Sequence, residues 1–394
     1  MKKICFVTGT RAEYGLLKPL IDKVYEDDEL VLKLVVTGAH LSPEFGLTYK
    51  LIEKDGYRID EKAEVLLSSD TSVGITKSMG LALISFSEIF ERNTPDFIVI
   101  LGDRYEMLSV STAAMMAKIP IIHLHGGETT QGAVDEAIRH SITKQAYLHF
   151  TSTENYRRRV IQLGENPNRV FNVGAMGIEN ITQLPLLSKG KLEESIKFKL
   201  DTPFALCTFH PVTLEKSSTR DQFLELLSVL NLLEDIKVIF TKANADTDGR
   251  IINRLIDRYI SENPKKAIAF DSMGQLRYLS AMKYCSFVIG NSSSGIIEAP
   301  SFSVPTINIG DRQKGRIQAE SIINCDAKSD EILGAIKESS TREFKNQLKK
   351  VENPYGTGEV SLKIIQILKD YINNNKIDLK KEFYDFEITQ MNTE

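Results

Sequence analysis

The sequence predicts an α/β chain of two domains, each a parallel sheet crossed by helices, with the ligand edges of both sheets turned toward a central cleft. Three observations predict it. Apolar runs of strand length alternate with longer stretches of helical period, the pattern of strands joined by crossover helices. The chain has 394 residues, too many for one ordinary core and suited to two domains of about 150 to 200 residues each. The alternation lapses once, in the Pro- and Lys-containing stretch ITQLPLLSKGKLEES after Gly177, and then resumes.

In the first half the strands read KICFVTG, LVLKLVVTG, DFIVILGD, IPIIHLHGG, LHFTST and RVFNVGAMG. Between the first two, Leu16, Leu17, Leu20, Ile21 and Val24 recur at helical spacing, which gives a helix with one buried stripe. The second series reads FALCTFH, IKVIFTKAN, AIAFDSM, SFVIGN and PTINIG. Continuous Val, Ile and Phe runs suit strands buried on both faces. A closing helix over 361–372 carries Leu362, Ile364, Ile365, Ile367, Leu368 and Ile372, which fits packing back on the first domain. The expected division is therefore 1–178, 179–360, and a C-terminal helical segment 361–394.

Composition narrows the function. Apolar residues are 42% and charged ones 26%, which is ordinary globular usage without an acidic or low-complexity tail. The net charge of −4 lacks the basic balance that marks a nucleic-acid partner. The N-terminal apolar run, Ile4 to Val7, is too short for a signal peptide, and no apolar stretch reads as a membrane span of about 18 residues. The expected location is the cytoplasm. Cys5, Cys207, Cys285 and Cys325 are far apart and form no CxxC pair, so neither a zinc site nor a disulfide framework is expected.

In parallel sheets ligands sit beyond the carboxyl ends of the strands, so polar residues there are the candidates. The first strand runs into Thr8-Gly9-Thr10-Arg11-Ala12-Glu13, which lacks the GxGxxG dinucleotide spacing. Amides at a helix start favour an anion, and Arg11 adds a forked cation; alternatively, Gly9 makes the turn and Arg11 pairs with Glu13. Asp103, with Arg104 beside it, either caps the next helix or acts as an acid, a base or a sugar ligand.

The densest polar cluster is IIHLHGGETTQGAVDEAIRH. Strand alternation puts His123 and His125 on one face, and Asp135/Arg139 and Glu136/His140 have i, i+4 spacing. No metal-ligand spacing such as HExxH occurs there, and no metal is expected. In the second half, His210 follows a strand, Asn244 follows the next, and GNSSSGIIEAP runs a strand into a helix through small residues. Amides and hydroxyls there converge as a diphosphate cradle. Glu298 is placed either to accept ribose hydroxyls or as a solvated helix carboxylate, and Arg312 adds a cation.

The motifs GTRAEY, TGAH, GDRYE, HLHGGE, DEAIRHSITK, FHPVT, NAD, GNSSSGIIEAP and INIGDRQKGR together resemble the hydrolysing UDP-N-acetylglucosamine 2-epimerases of sialic-acid biosynthesis, over about residues 1–370. The resemblance implies a GT-B-like fold of two Rossmann-like domains. It implies uridine-diphosphate contacts at Arg11, His210, Asn244, Ser292, Ser293, Glu298 and Arg312, with His40 and Arg104 also on the substrate side. His210 stands near the chemistry as well. The catalytic acids fall on Asp103 and Asp135, with Glu136 as the neighbouring alternative to the latter. Many relatives carry Ile-Glu-Gly-Gly-Glu where this chain has Leu124-His125-Gly126-Gly127-Glu128, so either His125 or Glu128 is expected to take over the role of the missing glutamate.

The implied reaction converts a UDP-N-acetylhexosamine and water to UDP and N-acetylmannosamine through a 2-acetamidoglycal. A diacetylbacillosamine substrate, a non-hydrolysing epimerase and a GT-B glycosyltransferase are the alternatives. No redox cofactor is needed. The resemblance also implies a homodimer or homotetramer.

Overall fold

The computed structural model describes residues 1–67, 71–130, 134–212, 218–243, 249–374 and 377–385. The first sheet contains β1 (Lys2–Thr8), β2 (Leu30–Thr37), β3 (Glu61–Ala63), β4 (Phe97–Leu101), β5 (Ile121–Leu124), β6 (Leu148–Thr151) and β7 (Val170–Asn172). All pairs are parallel, in the order β3-β2-β1-β4-β5-β6-β7. The second sheet holds β8 (Phe204–Thr208), β9 (Lys237–Thr241), β10 (Ala267–Phe270), β11 (Phe287–Gly290), β12 (Thr306–Ile309) and β13 (Ile322–Cys325). It too is parallel, in the order β10-β9-β8-β11-β12-β13.

Two short strands, β3 and β13, escaped the sequence reading. Each lies at an edge of its sheet, and neither EKA nor IINC stands out as an apolar run.

Both strand orders reverse direction at one place, between β1 and β4 in the first sheet and between β8 and β11 in the second. The crossover helices leave such a point on opposite faces of the sheet, which opens a crevice beyond the strand ends. The loops after β1 and β4, and those after β8 and β11, flank these crevices.

Helices cover both faces of each sheet. Leu17, Leu20, Ile21 and Val24 of helix Arg11–Tyr25 pack with Phe6, Val99 and Leu124 on one side of the first sheet, while Phe86, Ile89 and Phe90 of helix Ser72–Asn93 pack with Val7 and Ile100 on the other. That helix corrects the expectation that no stretch could span a membrane: by length and composition alone it is apolar enough. Cys5, Cys207 and Cys285 are buried, the first in the core of the first sheet and the other two in that of the second.

Helix Val360–Asn373 returns to the first core through Val360, Ile364, Ile365 and Leu368. The outgoing and returning segments are tied together. Ala175 donates its N–H to the Tyr355 carbonyl at 2.9 Å, and Ser361 donates its N–H to the Glu179 carboxylate at 2.7 Å.

Candidate functional site

The loop after β1 is fixed by a capping box. The Thr10 hydroxyl accepts from the Glu13 N–H at 3.3 Å, while Glu13 accepts from the N–H groups of Thr10 at 3.3 Å and Gly9 at 2.6 Å. Burial pushes the Glu13 carboxyl up to about 7, although the Gly9 hydrogen bond opposes the shift. Arg11 reaches across to the second sheet and donates to the Ser272 carbonyl at 3.3 Å. The alternative Arg11–Glu13 pair is thus replaced by a bond between the two halves of the chain.

His40, expected among the substrate contacts, is wholly buried behind this loop. Its ring nitrogens meet the hydroxyls of Thr8 at 3.1 Å and Thr48 at 2.8 Å. Burial pushes its pKa down to about 4, so it acts as a neutral brace.

At the other side of the crevice, Asp103 does not cap the next helix. Arg104 occupies the N-cap of helix Tyr105–Met116 without a side-chain cap and donates through Nε to Glu106 at 2.7 Å. Asp103 instead pairs with Arg139, whose side chain is buried. Arg139 also donates to the Glu128 carbonyl at 2.8 Å, the Thr130 hydroxyl at 2.8 Å and Glu136 at 3.2 Å. Glu136 further accepts from the Thr130 N–H at 2.6 Å and meets His140 at 3.3 Å. Asp135, in the first turn of helix Asp135–Gln145, is half-buried and adds its negative charge near Arg316.

His123 and His125 part company, contrary to the alternation. β5 ends at Leu124 and His125 takes a left-handed φ of 64°, so only His123 keeps a strand-directed side chain, bonded to the Gly102 carbonyl at 2.8 Å. His125 Nε2 accepts from the Met176 N–H at 3.1 Å, because a backbone amide can only donate. Its Nδ1–H then points to Glu128 Oε1 at 3.1 Å.

Glu128 takes, in addition, the Ser152 hydroxyl at 2.7 Å and Arg316 at 2.7 Å. Burial alone would raise this carboxyl, but the charges of Arg316 and His125 bring it down to about 2. Both ring nitrogens of His125 and both carboxylate oxygens of Glu128 are thus engaged by the protein.

The second crevice is built mostly from neutral donors, with the Arg312 guanidinium among them. Gly290 has φ 128° and approaches the Thr208 carbonyl so closely that a Cβ would collide with it. Asn291 then bridges the reversal, accepting from the His210 N–H at 2.7 Å and donating to the His210 carbonyl at 2.8 Å. Ser292 caps helix Ser293–Ile297, with its hydroxyl 3.1 Å from that of Ser294, and Ser294 also meets Tyr278. Arg312 and Gln313 donate to the Asn291 carbonyl at 3.1 and 2.8 Å.

Glu298 is buried rather than solvated, and burial pushes it up to about 7. It lies against Gly177, where any Cβ would strike its carboxylate. Asn244 lies outside the described residues.

The two crevices meet. Arg316, after β12, donates to the Thr129 carbonyl at 3.0 Å and forms an ion pair with Glu128, both after β5. Tyr355 donates to the Ile317 carbonyl at 2.9 Å and Ile317 donates its N–H to Tyr156 at 3.0 Å. A charged cluster at one sheet's carboxyl edge thereby stands against a hydroxyl and amide cluster at the other's.

A family model described as UDP-N-acetylglucosamine 2-epimerase matches residues 22–369. The chain belongs to the UDP-N-acetylglucosamine 2-epimerase family. It is 46% identical to a Campylobacter jejuni protein named GDP/UDP-N,N'-diacetylbacillosamine 2-epimerase (hydrolyzing), covering 98% of this chain and 99% of that one. It is 42% identical to the Escherichia coli polysialic acid biosynthesis protein P7, covering 98% of each. Among solved structures, the Neisseria meningitidis UDP-GlcNAc 2-epimerase bound to UDP-GlcNAc matches with TM-score 0.77 at 18% identity, over 93% of this chain and 100% of that one. The two parallel-sheet lobes are the GT-B-like arrangement of such epimerases.

In this member of the epimerase family, sequence reasoning missed Arg139 as the partner of Asp103, Arg316 as the partner of Glu128, and Tyr278 behind the serine cradle. Arg316 stood inside the INIGDRQKGR motif, the one signal that pointed to it.

Proposed function

We propose that the protein is a hydrolysing 2-epimerase of a UDP-linked 2-acetamido sugar. The observation that carries the reading is the apposition of the Asp103–Arg139–Glu136 cluster, at the end of the first sheet and with Asp135 in the same first helical turn as Glu136, to the serine and amide cradle of the second. On this reading the uridine diphosphate lies at the second lobe, against Ser292, Ser293, His210 and Arg312, with Glu298 toward the ribose and Arg11 reaching over from the first lobe. The sugar lies at the first lobe, beside Asp103 and Asp135.

The C2 hydrogen of such a sugar is not acidic until the C1–O bond to UDP begins to break. Positive charge on C1 and the ring oxygen then acidifies C2–H, and a carboxylate removes the proton to leave a 2-acetamidoglycal. The departing diphosphate gathers charge where amides, hydroxyls and Arg11 and Arg312 already stand, which lowers the barrier without reorganisation. Water adds its hydroxyl to C1, and a proton returns to C2 from the opposite face. Asp103 and Asp135 are the groups assigned to these transfers. Glu136 is engaged by Thr130, Arg139 and His140. His125 and Glu128 become positioning residues that brace helix Met176–Gln183 and Arg316.

Two sugars fit this chemistry. UDP-N-acetylglucosamine gives N-acetylmannosamine. The 46% identical relative named for diacetylbacillosamine favours the 2,4-diacetamido sugar as a second reading.

Both substrates are tested by incubating the purified protein with each UDP sugar in deuterium oxide and following products by NMR. Free UDP and a free 2-epimerised sugar carrying deuterium at C2 are expected, and the faster substrate names the specificity. Accumulation of a UDP-linked epimer without free UDP would overturn the hydrolysing assignment.

A further inference from the structure

The segment 377–385 follows the closing helix, forms neither helix nor strand, and lies beyond the residues matched by the family model. It is bound to the first lobe along its length. Asp378 donates its N–H to the Tyr147 hydroxyl at 3.0 Å, and its carbonyl accepts from Arg169 at 3.4 Å. Tyr384 donates its N–H to the Gly164 carbonyl at 2.9 Å. The Phe383 ring presses on Gly164, where a Cβ would collide with it, and lies 5.1 Å from the Lys144 ammonium.

Lys381 is the centre of this strap. Its ammonium donates to the carbonyls of Lys144 at 3.0 Å and Ala146 at 2.7 Å and pairs with Glu165 at 2.6 Å. Three donors are all an ammonium has. Burial alone would raise Glu165, but the His149 hydrogen bond and the charges of His149 and Lys381 bring it down to about 2, while burial lowers the Lys381 ammonium from its usual value.

The two carbonyls belong to the exit of helix Asp135–Gln145. The last carbonyls of a helix have no partner within it, and a cation there meets the negative end of the dipole. The helix is therefore held near its start by Glu136, at its middle by Arg139, and at its finish by Lys381 together with the Lys144–Glu165 pair. It is a rod about 16 Å long, so a few degrees of tilt at its exit moves its first turn by a good fraction of an ångström. Misplacement by about 1 Å can cost on the order of 100-fold in rate.

We infer that Lys381 is a positioning residue for the reaction: by clamping the exit of helix Asp135–Gln145 it sets where Asp135 and Arg139 stand beside Asp103. The inference rests on the reading of Asp103 and Asp135 as the proton-transfer pair.

The test uses the full chain with Lys381→Met, which keeps the stem and removes the donors, and Lys381→Arg, which restores a cation. For Lys381→Met, kcat is expected to fall by about 10-fold, with KM for the UDP sugar and UDP affinity within about twofold of wild type. Amide exchange is expected to quicken across residues 140–146 and stay unchanged in helix Val360–Asn373, and Lys381→Arg recovers most of kcat.

Phe383→Ala loosens the strap without deleting the cation and should show the same pattern more weakly, which keeps the test open if Lys381→Met does not fold. Unchanged exchange in 140–146 would overturn the clamp. Faster exchange there with unchanged kcat would overturn its link to the site. Failure of the wild-type protein on both UDP sugars would instead overturn the functional reading, while the exchange data would still judge the clamp.

Discussion

The two crevices occupy equivalent places in two similar sheets and are built from opposite materials. At the first, carboxylates and guanidinium groups are packed together: Asp103 on Arg139, Glu128 on Arg316, Glu136 on Arg139. At the second, Asn291, Ser292, Ser294, Tyr278 and Gln313 supply neutral dipoles, Arg312 adds a cation, and Glu298 is the acidic exception. On the proposed reading this is a division between transfer and holding. Groups that must gain and lose a proton need charged neighbours to tune them, whereas an anion that stays bound through the reaction is well served by fixed dipoles of low reorganisation cost.

The comparison breaks most visibly at Asp103. Asp103→Asn keeps the shape but removes the base, and kcat should fall by roughly 100 to 10,000-fold, while UDP binds in a calorimeter as it does to wild type. A parallel loss of UDP affinity would mean that the first crevice also holds the nucleotide, and the division would fail.

A smaller effect is expected where the crevices are joined. Glu128→Gln leaves Arg316 buried without its carboxylate, which should cost about 3 to 5 kcal/mol of stability, read as a lower urea midpoint. Pairing it with Arg316→Met should recover much of that loss. Because the folded protein holds Glu128 near 2, against 4.5 for the free group, its contribution is complete above pH 4.5 and lost as the pH falls toward 2. The acid limb of wild-type stability should therefore be steeper than that of Glu128→Gln, and equal slopes would show that the pair is not a determinant of acid stability.

The smallest effect sharpens the exception. Burial holds Glu298 at about 7, and ribose hydroxyls donate best to an ionised carboxylate. UDP affinity should rise by up to about 10-fold between pH 6 and 8, and Glu298→Gln should bind more weakly with a flat profile. The free protein responds with the opposite sign, since an acid raised on folding contributes stability that is complete below 4.5 and lost as the pH climbs through 7. A sloping UDP profile in Glu298→Gln would assign the titration to another group.

What the sequence disclosed and what it withheld follow from the range of the interactions. The strand DFIVILGD and the helix stripe from Leu16 to Val24 are local patterns, and they stand where the alternation predicts. The loop placement of Asp103, His210 and Ser292 follows from the same patterns, because strand ends can be read from where the apolar runs stop.

Partners could not be read this way. Arg139 looked like the i+4 mate of Asp135, yet its ion pairs join it to Asp103, on the loop after β4, and to Glu136 one turn back. His125 looked like the strand-mate of His123 until the backbone turned left-handed at that residue. A change of φ at a single position is a local event with no signature in the apolar pattern, and a bond between residues far apart in the chain has none either.

The tie between the outgoing segment at Ala175 and the returning one at Tyr355 has a mechanical meaning. Because β1 and helix Val360–Asn373 with its strap pack on the same core, the second lobe hangs from a doubled neck. A pull applied at β1 and at the strap loads the first lobe directly, and the second lobe lies off that force path.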